Sequence, residues 1–193
     1  MPWPKGLDVS PKGCQAGPAP TDAPHAYAAS VELWELTARE RIRDTLARYN
    51  WSGDALRLDE LARAFAEDGV LEVRGDEPLR GREAIVGFLR GSARGADEAR
   101  RASVASGSAS TSSSPAKRIV RHVLTNVRFL ELGPDEALVA SYFTVVTEIG
   151  LDHYGRYRDR FVPVGDEWLI GHRFVSTDWR APDSTMASPD SVA

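Results

Sequence analysis

The sequence predicts an α+β domain in which three N-terminal helices pack on a curved, mostly antiparallel sheet. Two features carry this prediction: apolar residues recur at helical spacing in the first half of the chain, and apolar and polar residues alternate in the second half. Helices followed by a run of strands favour an α+β arrangement over a parallel sheet, in which helices and strands would alternate. We expect the sheet and its helices to form a cone that closes around a pocket at its open end.

The first helix is predicted over residues 30–51. Its apolar face carries Ile42, Leu46 and Tyr49 at helical spacing. We expect Ser52-Gly53 to end this helix, because glycine is a poor helix former. The chain could then turn sharply after Tyr49.

The other elements are predicted from similar patterns and from the turn residues between them. Asp68-Gly69 is expected to turn the chain into a short strand, and Gly133-Pro134-Asp135 to separate two long ones. The predicted elements are a second helix over 56–67, a strand over 70–73, a third helix from Gly81, and strands over 118–132, 136–148, 154–163 and 167–178.

The elements are predicted to form one domain over residues 30–180, with flexible tails at 1–28 and 181–193. The tails are rich in proline, glycine, alanine and serine and have little apolar periodicity, so they could bury little surface on ordering. A serine-rich block at 91–117 is expected to be a flexible insertion. The alternative is a lid over a pocket mouth, since long loops in compact domains are either functional or disordered.

Composition narrows the function classes and the location. The net charge is −4 and no basic stripe is present, which argues against a nucleic-acid partner. No apolar run approaches the ~18 residues of a membrane span, and the proline-rich N-terminus does not resemble a signal peptide. The single cysteine, Cys14, cannot form an internal disulfide. We therefore expect a cytoplasmic protein.

Several spaced phrases resemble the SnoaL-like branch of the NTF2-like (cystatin-like α+β cone) superfamily over about residues 33–180. They are RYNWSGDALRLDELARAFAEDGVLEV, RHVLTNVRFLEL, GRYRDRF and EWLIGHRFVSTDW. The superfamily includes scytalone dehydratase, bile acid 7-alpha-dehydratase, polyketide cyclases, ketosteroid isomerase and limonene epoxide hydrolase, together with non-catalytic members. The resemblance implies a homodimer, for which the outer sheet face with Ile119, Val123 and Val127 offers apolar surface. The serine-rich insertion departs from the family pattern.

The resemblance also implies a catalytic trio, because the dehydratases of this group use a tyrosine, an aspartate and a histidine. Tyr49, Asp54 and His122 match those positions. Chemically, a carboxylate can orient an imidazole that takes a proton, and a phenol can stabilise the charge that develops.

Each member of this trio also has a structural interpretation. Asp54 could cap the second helix, Tyr49 could be a core aromatic, and His122 a core histidine bonded to the backbone. In a continuous helix five residues rotate by about 140°, so Tyr49 and Asp54 would point apart. A break at Gly53 would remove that objection.

Four further residues are candidates for substrate binding: Arg173, Asn126, Tyr157 and His172. Arg173 resembles an arginine late in the chain of the bile acid enzyme. His172 is the candidate for the second active-site histidine of scytalone dehydratase. Arg173 could instead pair with Asp159, and Asn126 could anchor backbone. The histidines are scattered over strands without the spacing of a compact metal motif, so no metal site is expected.

The sequence therefore favours a small-molecule lyase or isomerase that needs no cofactor, most specifically a dehydratase. Its substrate would be a small hydrophobic, cyclic molecule of the steroid or polyketide type. A polyketide cyclase or epoxide hydrolase-like enzyme is an alternative. A non-catalytic ligand-binding or assembly protein of the same fold is another, and a separation between Asp54 and His122 above about 4 Å would favour it.

Overall fold

A computed structural model describes residues 31–105, 119–184 and 186 of the 193-residue chain. Four of the strand pairings in these residues are antiparallel, and one is parallel. The α+β prediction is confirmed. The elements are α1 (Leu33–Asp54), α2 (Leu58–Ala62), β1 (Phe65–Val73), β2 (Leu79–Arg80), α3 (Arg82–Ala105), β3 (Val120–Leu132), β4 (Ala137–Thr147), β5 (Gly150–Val164) and β6 (Glu167–Arg180), and the sheet order is β2-β1-β6-β5-β4-β3.

The first helix continues through the glycine that was expected to end it. Helix α1 includes Ser52 and Gly53 and ends at Asp54, so the predicted break is wrong. A single glycine costs a helix only about 1 kcal/mol relative to alanine. A Cβ at Gly53 would lie 3.2 Å from Leu61 Cδ1, so the glycine allows α2 to approach α1 closely. The chain turns later, at Leu56, which has a positive φ of 56°.

The Asp68-Gly69 dipeptide lies inside a strand and does not form the predicted turn. Strand β1 already begins at Phe65, and its pairing with β6 shifts register before Val70. A Cβ at Gly69 would come within 2.8 Å of the Ile170 carbonyl oxygen. The glycine therefore marks a bulge where the two backbones approach closely.

The third helix is longer than predicted. It begins at Arg82, after Gly81 with a φ of 80°, and runs to Ala105, so the first part of the predicted flexible insertion is helical. Residues 93–105 contain five alanines and three arginines, which are good helix formers and offset the one glycine there, Gly95. The rest of the serine-rich block, 106–117, lies outside the described residues.

The chain just beyond β6 packs on the domain, where a flexible tail was expected. Ala181 and Ser184 are buried, and the Ala181 N–H donates to the Asp152 carbonyl at 2.7 Å. The tail prediction is therefore wrong for these residues. The predicted N-terminal tail, with Cys14, and residues 187–193 lie outside the described part.

The core lies between α1 and the concave face of the sheet. Ile42 and Leu46 of α1 are 0% and 1% exposed and pack with Phe65, Phe161 and Ile170, which are fully buried. Burying one such side chain contributes about 1.5–3 kcal/mol. This packing fixes α1 over the sheet and positions the last turn of the helix above β3.

A bulge in β3 reverses the inward and outward alternation that the sequence suggested. Asn126 has a φ of 52°, and the pairing with β4 shifts register between Thr125 and Arg128. As a result Asn126 is exposed, and Val127 packs against the core. Val127 therefore does not belong to the outer apolar face, where Val123 is 47% exposed. The homodimer stays a prediction.

In the described residues, no helix is both long enough and apolar enough to cross a membrane.

We expect Gly155→Ala to destabilise the fold strongly. A Cβ at Gly155 would clash with the Ser176 carbonyl oxygen and lie 2.9 Å from Phe143 Cζ, so β5 and β6 would have to separate. Overpacking of this kind typically costs about 1–3 kcal/mol and sometimes more. The free energy of unfolding from urea titrations checks this.

The matched control is Gly87→Ala on exposed α3, where a Cβ meets nothing within 4 Å. It should stabilise by about 0.5–1 kcal/mol through helix propensity. Equal effects of the two substitutions would contradict the close approach at Gly155.

Candidate active site

A cavity of about 280 Å³ lies between the helices and the concave face of the sheet. Its size is close to the lower end of ligand pockets, about 300–1,000 Å³. Its apolar wall includes Leu58, Leu61, Leu71, Phe88, Leu89 and Val175. The polar side chains that reach it include Tyr49, Asn50, His122, His153, Tyr157 and Thr177.

Asp54 and His122 meet at the edge of this cavity. The His122 Nδ1 lies 2.6 Å from Asp54 Oδ1, and the His122 backbone N–H donates to Asp54 Oδ2 at 3.1 Å. The His122 side chain is 20% exposed and the Asp54 side chain is 13% exposed. Asp54 does not cap α2, because the N-cap residue of that helix is Arg57. The expected Asp54–His122 pair is therefore present, and the capping interpretation is wrong.

This contact orients the imidazole. A carboxylate can only accept hydrogen bonds, so the neutral ring carries its proton on Nδ1 and leaves Nε2 as the basic nitrogen. In the described part of the chain, no group hydrogen-bonds Nε2. Asp54 is also the last residue of α1, where the helix dipole is negative. The Nδ1–H therefore points toward both the carboxylate and the negative end of the helix.

Arg173 lies beneath the cavity, fully buried, and it does not line the cavity. Its Nε and Nη2 each donate to one oxygen of Asp159 at 2.8 Å. Its Cζ lies 4.1 Å from the ring centroids of both Tyr49 and Tyr157. Arg173 is therefore not placed to contact a molecule in the cavity directly, whereas the alternative pairing with Asp159 is confirmed. Arg173 positions the two tyrosines instead.

The pKa values in this group follow from burial and charge. Burial raises the pKa of the Tyr49 and Tyr157 phenols, and the nearby Arg173 charge offsets only part of that rise. Burial alone would lower the pKa of Arg173, but the Asp159 carboxylate raises it above its ordinary value. Both phenols therefore stay protonated at neutral pH. Both residues line the cavity, as expected for a Tyr157 that binds substrate, and a protonated phenol can donate a hydrogen bond there.

Two predicted binding residues lie away from the cavity. His172 follows the alternation of β6, so it faces outward while Arg173 faces inward, and its Nε2 lies 2.9 Å from Glu72 Oε2. Asn126 is exposed because of the β3 bulge. The predicted substrate roles of His172 and Asn126 are therefore wrong.

Of the polar cavity residues named above, Asn50, His153 and Thr177 were not predicted. Asn50 lies one turn before Asp54 on α1, and its buried Oδ1 has no partner in the described residues. His153 lies on β5 beside Asp152. Strict alternation would place one of these neighbours outside, but a register shift in the β4–β5 pairing lets both be buried. The spacing of Asn50 and Asp54 could have pointed to Asn50, whereas no sequence signal marks the bulge.

The described residues contain no group of three or more histidine, cysteine, aspartate or glutamate side chains placed to hold a metal ion.

We expect Arg173→Met to lower the free energy of unfolding by about 3–5 kcal/mol, because it leaves the Asp159 carboxylate buried without its partner. Urea denaturation measures the change. Arg48→Met is the control, since it breaks a more exposed pair with Glu167 and should cost about 1 kcal/mol or less. Similar losses for both variants would mean that the buried pair does not stabilise the site.

Comparison with solved structures finds the same fold at low sequence identity. A Mycobacterium tuberculosis protein of unknown function is 24% identical, with a TM-score of 0.59 over 81% of this chain and 83% of that one. A Nostoc punctiforme protein with a cystatin-like fold is 18% identical, with a TM-score of 0.59 over 80% and 98%. A Novosphingobium aromaticivorans protein provisionally named a scytalone dehydratase is 22% identical, with a TM-score of 0.55 over 77% and 87%.

Among the curated proteins, none matches the chain. The family model of the SnoaL-like domain matches residues 34–174, from the first turn of α1 into the middle of β6. The fold is that of the cystatin-like, NTF2-like proteins, as the sequence phrases predicted. The chain belongs to the SnoaL-like family.

Proposed function

We propose that this protein is a cofactor-independent lyase or isomerase that removes a proton next to a carbonyl group, most specifically a dehydratase. The observation that carries the proposal is the 2.6 Å contact between Asp54 and His122 at the edge of a mainly apolar cavity. The likenesses to solved structures support the fold alone, so the assignment depends on this geometry.

His122 is the base in this proposal. Its Nε2 takes the proton from the carbon, and the electron pair of the C–H bond moves toward the carbonyl oxygen. Asp54 accepts the Nδ1–H throughout and stabilises the imidazolium that forms. A base positioned in this way contributes about 10²–10⁴-fold in rate.

The phenols of Tyr49 and Tyr157 would stabilise the oxyanion. Both line the cavity, and both are held against Arg173 by stacking. Because their pKa values are raised by burial, they donate a hydrogen bond without losing their proton at neutral pH. Donors fixed in advance cost no reorganisation when charge develops.

The cavity wall indicates the substrate class. Leucine, phenylalanine and valine side chains form most of the surface, and the polar groups are few and concentrated toward α1 and the sheet. A small hydrophobic, cyclic ketone would bury its ring against the apolar wall and place its carbonyl among the polar groups. Loss of water, a double-bond shift and a cyclisation all begin with the same proton removal.

A non-catalytic ligand-binding protein of this fold is the alternative. Such a protein would use the cavity, but it would not need a carboxylate to fix the tautomer of a cavity histidine. The Asp54–His122 separation is well below the ~4 Å beyond which the alternative would be favoured. The geometry therefore supports the catalytic proposal.

We expect the protein to exchange the α-protons of small cyclic ketones for deuterium in D₂O, because this exchange needs only the base. Proton NMR of cyclohexanone, 1-indanone and 1-tetralone measures the rate. His122→Ala should lower kcat/KM for exchange by about 10²–10⁴-fold, and Asp54→Asn should also lower it.

His172→Ala is the matched control, since it removes a carboxylate-paired histidine that lies outside the cavity. It should exchange at the wild-type rate. Wild-type exchange rates in both His122→Ala and Asp54→Asn would show that the proposed mechanism is wrong.

A further inference from the structure

A second histidine reaches the cavity with the same kind of carboxylate partner. His153 lines the cavity, is 8% exposed, and its Nδ1 lies 2.7 Å from Asp152 Oδ1. As at His122, the carboxylate takes the Nδ1 side of the ring. In the residues that the structure describes, nothing hydrogen-bonds the His153 Nε2.

The two histidines lie on one row of the sheet. Val145 of β4 pairs with His122 of β3 on one side and with His153 of β5 on the other. Residues directly opposite in a sheet project from the same face, and neighbouring strands are about 4.8 Å apart. The Cα atoms of the two histidines are therefore about 10 Å apart. Both residues line the same cavity.

Asp152 is held as a carboxylate by its surroundings. Ser184 Oγ donates to Oδ1 at 2.6 Å, and Thr147 Oγ1 donates to Oδ2 at 3.2 Å. Burial would raise the pKa of the Asp152 carboxyl, but the hydrogen bonds from His153 and Ser184 keep that pKa below its ordinary value. An ionised carboxylate can only accept hydrogen bonds, so Asp152 takes the Nδ1–H of His153.

The rest of the His153 environment fixes the ring. The Phe143 ring contacts it edge-to-face, with centroids 5.8 Å apart. Arg180 lies opposite His153 in β6 and directs its Nη2 to the Ser184 carbonyl at 2.8 Å. The C-terminal segment after β6 thereby holds Ser184 against Asp152.

We propose that His153 is a second catalytic residue, the general acid that protonates the leaving hydroxyl group while His122 acts as the base. This inference rests on the proposed function, and it favours elimination of water over a simple double-bond shift. The substrate class becomes a cyclic ketone with a hydroxyl group at the β-carbon. Asp152 and Ser184 act as positioning residues.

Loss of water in this proposal removes one proton from the substrate and supplies another to the leaving oxygen. His122 Nε2 takes a proton from the α-carbon, and the C–H electron pair forms the new C=C bond. The bond between the β-carbon and the hydroxyl oxygen breaks. The oxygen takes both electrons of that bond and the proton from His153 Nε2, and it leaves as water. The step leaves His122 protonated and His153 neutral, and proton exchange with solvent restores both.

Two ketones that differ only in the leaving group test this role. 3-Hydroxycyclohexanone must expel hydroxide or water, whereas 3-(4-nitrophenoxy)cyclohexanone expels a phenolate that is stable without acid assistance. Both give the same 2-cyclohexenone, which is followed by absorbance. The variants are His153→Gln, His122→Gln and, as the matched control outside the cavity, His172→Gln.

We expect His153→Gln to lower kcat/KM for the hydroxy ketone by about 10²-fold or more and to leave elimination of 4-nitrophenol near the wild-type rate. His122→Gln should lower both reactions, and His172→Gln neither. A packing role would affect both substrates alike, because the protein is the same in the two assays.

Equal losses with the two leaving groups, or no loss with either, would overturn the assignment of His153 while leaving His122 as the base. If the wild-type protein eliminates neither leaving group, the proposed function fails and this inference fails with it.

Discussion

The buried ion pair between Arg173 and Asp159 is the constraint around which the cavity is arranged. Both side chains are fully buried, so each charge needs the other. The pair joins β5 to β6, and the guanidinium lies against the rings of both Tyr49 of α1 and Tyr157 of β5. One charged contact thus fixes the sheet, the first helix and the two phenols relative to one another. Tyr49 and Tyr157, with the ion pair beneath them, form the floor of the cavity.

The chemistry of the site depends on two contacts between a carboxylate and an imidazole. Asp54 fixes His122 from the end of α1, and Asp152 fixes His153 from within β5. In both pairs the carboxylate takes Nδ1, which leaves Nε2 for a ligand in the cavity. Apolar walls strengthen such interactions, because they exclude water from the charges that develop. The resulting site combines proton transfer with recognition of a hydrophobic molecule.

The sequence predicted the order of helices and strands, and it predicted that Asp54 would meet His122, because strong periodicity and matched spacing survive folding. It failed where a single residue changed the backbone path. Gly53 stays within α1, where the absence of a side chain lets α2 approach closely. Asn126 turns outward at a bulge that the alternation of apolar and polar residues does not reveal. Another register shift buries Asp152 and His153 together, so the second pair was not foreseen. Bulges depend on tertiary pairing, and local patterns do not encode them.

The most direct test of the central claim is the tautomer of His122, measured by nitrogen-15 NMR of the labelled imidazole in the ligand-free protein. The geometry predicts that the neutral ring carries its proton on Nδ1, with Nε2 unprotonated and able to act as a base. Asp54→Asn should remove that preference. A neutral His122 with its proton on Nε2 in the wild-type protein would contradict the account, because the nitrogen assigned to proton abstraction could not then accept a proton.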